Sequence, residues 1–359
     1  MRVLFGSGDV GGARALLPVI QLCAAQGLEF ACLGHGHLPS EASSQWPLLD
    51  IPDDCSTQEA ATLVADWNPQ VYVFATSVHS RVALRVAWAC RERSIPALHV
   101  LDHWSSYSER LEDKSGAASG PSLFVPDIYA VMDGHARDEA AAEGIPTEVL
   151  RVTGHPALVP GIEPLGWASG VSPGAGRLLF VSEPVRSDHG LSRGYTEDDV
   201  LRAVCQVLQP LAAEMRLGIL PHPREDAGAL EEIWNRARGA LLGDVLSVAR
   251  GSEALPGAVG VIGMASMLLY EAWLRGIPVA SVQPGLRKAS LKLFRRCDGV
   301  LCIEDGAYLD RLPSWVQGAQ NRPPPSLKPE VAFHTGAAAR ILGIIRELVA
   351  QRRQKGMVF

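Results

Sequence analysis

The densest group of chemically suggestive residues is Gly263-Met264-Ala265-Ser266 and the stretch that follows it. A short apolar run, Val259–Ile262, ends there, and a stretch with helical periodicity, Met267–Arg275, begins. Small residues at a helix start leave backbone N–H groups open, and the positive end of the helix dipole adds to them, so the turn suits a diphosphate. Glu271 lies about one turn into that helix. A carboxylate so placed accepts hydrogen bonds from both vicinal hydroxyls of a ribose. Its neighbours Leu268, Leu269, Ala272 and Trp273 are apolar, which weighs against a merely solvated helix position.

Other loops carry weaker signals. Gly6-Ser7-Gly8-Asp9-Val10-Gly11-Gly12 follows the first apolar run, and its glycines let a backbone pass close to another molecule. It fits a dinucleotide fingerprint poorly, and a tight strand-to-helix turn is the alternative. In Leu220-Pro221-His222-Pro223-Arg224-Glu225, His222 can hydrogen-bond a phosphate and Arg224 can add charge, unless the histidine is structural. Leu101 to Arg110 contains Asp102, His103, Trp104 and Tyr107 directly after an apolar run. His79, and His35 and His37 of Gly34-His35-Gly36-His37, are lesser candidates at strand ends.

The elements that must position these loops alternate along the chain. Strand candidates at Arg2–Phe5, Phe30–Leu33, Val71–Ala75, Ala97–Leu101 and Ile128–Met132 alternate with helices at Ala13–Gln26, Thr57–Trp67, Arg81–Ser94 and Gly134–Glu143. Such alternation predicts a parallel sheet covered on both faces. Composition shifts to Gly, Pro and Ser around Pro160–Gly176, and the alternation then restarts. Strands are predicted at Leu178–Val181, Leu217–Leu220, Val259–Ile262, Val279–Val282 and Gly299–Ile303, with helices at Asp198–Met215, Ala229–Arg238 and Met267–Arg275. A final helix, Ala337–Arg352, follows a Pro-rich stretch. Ligands of open parallel sheets gather beyond the carboxyl ends of the strands, where the candidate loops lie.

Bulk properties narrow the field. A length of 359 residues suggests two domains at about 150 residues each. A net charge of -6 gives no basic field for a phosphate backbone, so nucleic acid is not an expected partner. The seven cysteines are scattered without a Cys-x-x-Cys pair and read as reduced core residues rather than zinc ligands. The amino terminus lacks a signal-peptide pattern, and no apolar run approaches the ~20 residues of a membrane span. A cytoplasmic protein is expected, with contact at a membrane surface left open.

The segment Glu271-Ala272-Trp273-Leu274-Arg275-Gly276-Ile277-Pro278-Val279 resembles the donor motif of GT-B glycosyltransferases, a glutamate five residues before a glycine, then an apolar residue, proline and a new strand. It is most similar to the group of the lipid II N-acetylglucosaminyltransferase, lipid-A-disaccharide synthase and the UDP-GlcNAc 2-epimerases. Val152-Thr153-Gly154-His155-Pro156 resembles that group's segment leading into the hinge. The resemblance implies an α/β chain of two Rossmann-like parallel-sheet domains facing a cleft. Residues 1–158 would be the acceptor-binding domain, 159–176 a linker and 177–332 the nucleotide-sugar domain. A helix at 333–359 would cross back.

By position, Gly263, Ala265, Ser266 and Glu271 inherit the phosphate and ribose roles, and Ser182 and Glu183 occupy the first phosphate loop of the second domain. The base would pack near His222 or Gly243–Val248. Gly8, Asp9, Gly11 and Gly12 resemble the acceptor-side loop. In the family the loop at Asp102 contacts acceptor, so Trp104 and Tyr107 would stack on a sugar while His103 or Asp102 takes a proton. Arg224 and His222 would meet leaving-group charge, and neither a metal nor a cofactor is expected. Sugar transfer from a nucleotide sugar to an acceptor hydroxyl, with inversion, is the implied activity. The acceptor would be a glycan, a lipid-linked sugar or a small molecule.

Departures from the pattern weigh the alternatives. Ala13 and Arg14 stand where the transferases often carry a histidine. Thr76-Ser77 stands where the 2-epimerases place an aspartate, and the Asp102 loop lacks their Glu-Ala-Gly. Missing carboxylates argue against epimerisation or hydrolysis, and a non-catalytic binding subunit would keep the Glu271 motif.

Overall fold

The computed structural model of the chain describes residues 1–41, 46–76, 80–113, 122–158, 176–323 and 325–356. It divides into two compact units, Met1–Gly161 with Val331–Phe359, and Ile162–Glu330. The expected linker, 159–176, lies outside the described residues except for Gly176, and so does His79.

In the first unit the strands are β1 (Arg2–Ser7), β2 (Glu29–Leu33), β3 (Leu48–Leu49), β4 (Val71–Ala75), β5 (Ala97–Val100), β6 (Glu112–Asp113), β7 (Ser122–Leu123), β8 (Ile128–Val131) and β9 (Leu150–Val152). Its helices are α1 (Val10–Ala25), α2 (Leu38–Glu41), α3 (Thr57–Trp67), α4 (Val82–Glu92) and α5 (Gly134–Ala142). A seven-stranded parallel sheet runs β3-β2-β1-β4-β5-β8-β9, and β6 and β7 form a small antiparallel pair. The strand order reverses beside β1, so the loops after β1 and β4 flank a switch point.

The second unit repeats the plan with β10 (Arg177–Val181), β11 (Arg216–Leu220), β12 (Leu242–Val245), β13 (Ala258–Gly263), β14 (Val279–Val282) and β15 (Leu301–Ile303). Its helices are α6 (Val185–His189), α7 (Glu197–Leu208), α8 (Ala227–Ala237), α9 (Met267–Leu274) and α10 (Arg311–Gln320). The parallel sheet runs β12-β11-β10-β13-β14-β15. The chain then forms α11 (Glu330–Thr335) and α12 (Ala337–Gly356).

Local chemistry explains the boundaries. Central strands such as Val71–Ala75 are buried throughout, as strands covered on both faces must be. Capping boxes, Ser56 with Glu59 and Thr196 with Asp199, start α3 and α7 by satisfying amides that the helix leaves open. The helix predicted over Asp198–Met215 instead closes at Leu208 and continues as a 3-10 turn, Gln209–Leu211. Pro210 has no N–H to extend the ladder. Ile341, Leu342, Ile345, Leu348 and Val349 of α12 enter the core of the first unit beside Leu16 and Ile20 of α1. That burial returns the carboxyl-terminal helix to the amino-terminal unit.

Candidate functional site

In the second unit the loops after β10, β11 and β13 converge. Ser266 is the N-cap of α9, extended at φ -63° and ψ 141°, and its hydroxyl accepts the Leu268 amide at 3.2 Å. Glu271 is mostly enclosed, its side chain 17 % exposed, and pairs with Arg275 at 2.6 Å. Arg275 is itself buried, and its Nε has no partner among the described residues. The carboxylate offered to a ribose is therefore held by a neighbouring guanidinium one helical turn on.

The amides that the sequence offers to a diphosphate are occupied by the chain's own carboxylate. Glu183, two residues past β10, accepts the Ala265 amide on Oε1 at 2.5 Å and bonds the Ser266 amide as well. Its Oε2 lies 3.5 Å from Nη1 of Arg193, whose Nη2 lies 2.8 Å from Nε2 of His189. Burial pushes the Glu183 carboxyl above its ordinary value, although Arg193 and the two amides act against that rise. Two backbone donors of the turn thus meet a carboxyl group of the chain itself, at the helix end where the dipole favours negative charge.

Glu225 lies beside it. Its Oε1 accepts the Ser182 hydroxyl and its Oε2 the His222 amide, both at 2.7 Å. Burial raises this carboxyl to about 7, against the two hydrogen bonds and with help from Glu197 and Glu183 nearby. No cation is among these causes, and a carboxyl near neutrality can give or take a proton at physiological pH. His222 accepts the Arg224 amide on Nδ1 at 3.2 Å. The Arg224 guanidinium is bidentate on Asp188 at 2.9 and 2.6 Å, so its charge is already matched within the unit.

The first unit treats its candidates differently. Asp102 forms an ion pair with Arg110, and both are largely enclosed. Burial raises the Asp102 carboxyl, but Arg110, with His103 and His155, more than offsets this and holds it below the carboxylate range. His155, buried, points Nε2 at the Asp102 carbonyl oxygen at 3.3 Å. His103 places Nδ1 2.8 Å from the Ser105 hydroxyl.

The glycines after β1 answer first to the chain itself. A Cβ on Gly11 would collide with Oδ2 of Asp102, and one on Gly12 would sit 2.5 Å from Oγ of Ser7 and 2.7 Å from Cβ of Ala75. Gly8 abuts the Gly36 turn. Asp9 is the N-cap of α1 without a side-chain cap bond.

Two expectations are corrected here. Trp104 and Tyr107 are 1 % and 2 % exposed. The Trp104 indole donates to Asp133 at 2.7 Å, and the Tyr107 hydroxyl donates to Glu139 at 2.6 Å. Rings with satisfied polar ends inside the core have no face to stack on a sugar.

Sequence reasoning passed over Glu225, Arg193, Arg110 and Arg275. Glu225 has a signal in the sequence, its place three residues after His222 in a loop past a strand, beside the more conspicuous His222 and Arg224. Arg193 and Arg110 had none, because the carboxylates they meet are ten and eight residues away in sequence. Among the described residues no group of three or more His, Cys, Asp or Glu could hold a metal ion, and no helix is long and apolar enough to cross a membrane.

No family model matches the sequence, and no curated protein matches it either. Solved structures do match in fold. The chain is similar to the UDP-GlcNAc 2-epimerase of Methanocaldococcus jannaschii in complex with UDP-GlcNAc and UDP, at TM-score 0.67 and 11% identity over 97% of this chain and 100% of that one. It is equally similar to the glycotransferase of kitacinnamycin, at TM-score 0.67 and 15% identity over 97% and 98%. MurG of Acinetobacter baumannii follows at TM-score 0.57 and 13% identity over 96% and 99%. The two parallel-sheet units with a returning terminal helix are those of the GT-B fold.

Proposed function

We propose that the chain is a nucleotide-sugar enzyme that binds its donor on the second unit and transfers the sugar to an acceptor hydroxyl presented by the first, without a metal and with inversion. The observation that carries this reading is the α9 turn. Its amides bond a carboxylate, so they accept an anion, and Glu271 stands enclosed one turn further along for the ribose. Ser182, His222, Gly263, Ala265 and Ser266 complete the donor side. Gly8, Asp9, Gly11 and Gly12 are assigned to the acceptor side, with His103 favoured over Asp102 as base because Asp102 is committed to Arg110. The acceptor is a glycan, a lipid-linked sugar or a small molecule.

Thermal shift against nucleoside diphosphates and their sugars identifies the donor. Release of nucleoside diphosphate only in the presence of acceptor marks a transferase, and no release under any condition marks a binding subunit. A second reading has its own support. Glu183 and Glu225 are raised carboxyls beside the donor turn, the kind of acid–base pair that epimerisation or hydrolysis of a nucleotide sugar requires. The 2-epimerase among the similar structures points the same way. Interconversion of the nucleotide sugar without any acceptor would establish that reading over transfer.

A further inference from the structure

A second group of reactive side chains lies in the first unit, outside the residues assigned to donor or acceptor. His35, in the turn after β2, is 5 % exposed. Its Nδ1 lies 2.6 Å from Oδ1 of Asp53, and its Nε2 lies 2.6 Å from the hydroxyl of Ser80, which precedes α4. Three residues separated by 18 and 45 positions meet only through the fold.

We propose that Ser80, His35 and Asp53 form an acyl-transfer triad. The roles follow from which atom faces which. With Nδ1 turned to the aspartate, that nitrogen carries the proton, and Nε2 is the acceptor facing the hydroxyl. Ser80 Oγ attacks the carbonyl carbon of a carboxylic ester while its proton passes to His35 Nε2. The tetrahedral intermediate collapses, the C–O bond to the alcohol breaks, and His35 returns the proton to that alcohol. Water then attacks the acyl-Ser80 ester, losing its proton to His35, and releases the carboxylic acid with Ser80 regenerated. The balance is ester plus water to acid plus alcohol, with no other reactant.

Two further observations favour catalysis over a purely structural bridge. Arg81, the N-cap residue of α4, makes no side-chain cap bond, and backbone amides of a helix start beside a nucleophile are the donors a developing oxyanion needs. Nη1 of Arg81, the next residue, is buried and has no partner among the described residues. A capping role alone would use Ser80 to bond the α4 amides, yet its contact with the Val82 amide is 3.4 Å, far longer than that with His35. The Asp53 side chain is 89 % exposed, so its charge is partly screened and its substitution should have the smaller effect.

The test is a fluorophosphonate probe followed by intact mass and peptide mapping, alongside hydrolysis of p-nitrophenyl acetate. The wild-type chain should gain one adduct, mapped to Ser80, and Ser80→Ala should gain none. Asp53→Asn, a surface change that leaves the core intact, should slow labelling by about 10-fold, less than the loss expected for a buried aspartate. Far-UV circular dichroism confirms that both variants are folded. No adduct on wild type, an adduct elsewhere, or equal rates in wild type and Asp53→Asn would each overturn the triad. Nucleotide binding is read separately by thermal shift, so failure here leaves the donor assignment standing and the reverse.

Discussion

Asp102 in the first unit and Glu225 in the second are both carboxylates in loops just past parallel strands, and the two units use them in opposite ways. Asp102 meets a guanidinium, Arg110, and its proton is harder to keep than in water. Glu225 meets a hydroxyl, an amide and other carboxylates, so burial dominates and its proton is held to about 7. Loops after β5 and β11 therefore hold a fixed anion in one unit and a titrating group in the other. What differs is the partner, and the partner decides the chemistry. A locked ion pair suits architecture, here keeping Asp102 against Gly11 at the start of α1. A carboxyl poised near neutrality suits proton transfer or proton-coupled binding of an anion.

Four measurements break or sharpen this contrast. The largest effect should come from Arg110→Met, which strands the Asp102 charge inside the first unit and should lower stability by about 3–5 kcal/mol in urea unfolding. A loss within error of zero would mean that the pair contributes nothing to the architecture. Next, Glu271→Ala should weaken nucleoside diphosphate binding by about 1–3 kcal/mol in calorimetry, and unchanged affinity would remove the ribose assignment.

Glu183→Gln tests whether the resident carboxylate competes with the ligand for the Ala265 and Ser266 amides. Without the charge, inorganic pyrophosphate should bind about 3- to 10-fold tighter, and weaker binding would make Glu183 a ligand-supporting group instead.

The smallest effect is a pH dependence. A carboxyl raised from 4.5 to about 7 in the folded state keeps its proton where the unfolded chain has lost it. Its contribution to stability is therefore whole below pH 4.5, and it falls as pH rises to about 7. Glu225→Gln cannot lose a proton, so its melting temperature relative to wild type should climb by a few degrees from about pH 5 to about pH 8. A difference that stays flat would place Glu225 in an environment no different from water.

The fold was legible because its signals are local. Runs such as Val71–Ala75 and Val279–Val282, alternating with helical periods, state a parallel sheet without reference to anything distant. Shorter edge strands, β3 and β12, left no such mark, since two or four residues at a sheet edge show neither burial on both faces nor a sustained period. The site was legible in part. Gly263 to Glu271 announces itself because a helix start and its first turns are adjacent in sequence. Trp104 and Tyr107 misled because an aromatic in a polar loop reads the same whether its face is open or its polar end is satisfied within the core.

The alternation of strands and helices, the helix start at Ser266 and the presence of a carboxylate one turn beyond it belong to the sequence alone, because each depends on neighbours a few residues apart. Which charges meet was decided by the tertiary structure. Glu183 reaches an amide 82 positions away, Arg110 pairs with Asp102, and His35 finds Asp53 and Ser80. Electrostatic character depends on distance and burial in three dimensions, and neither is written in the spacing of residues along a chain.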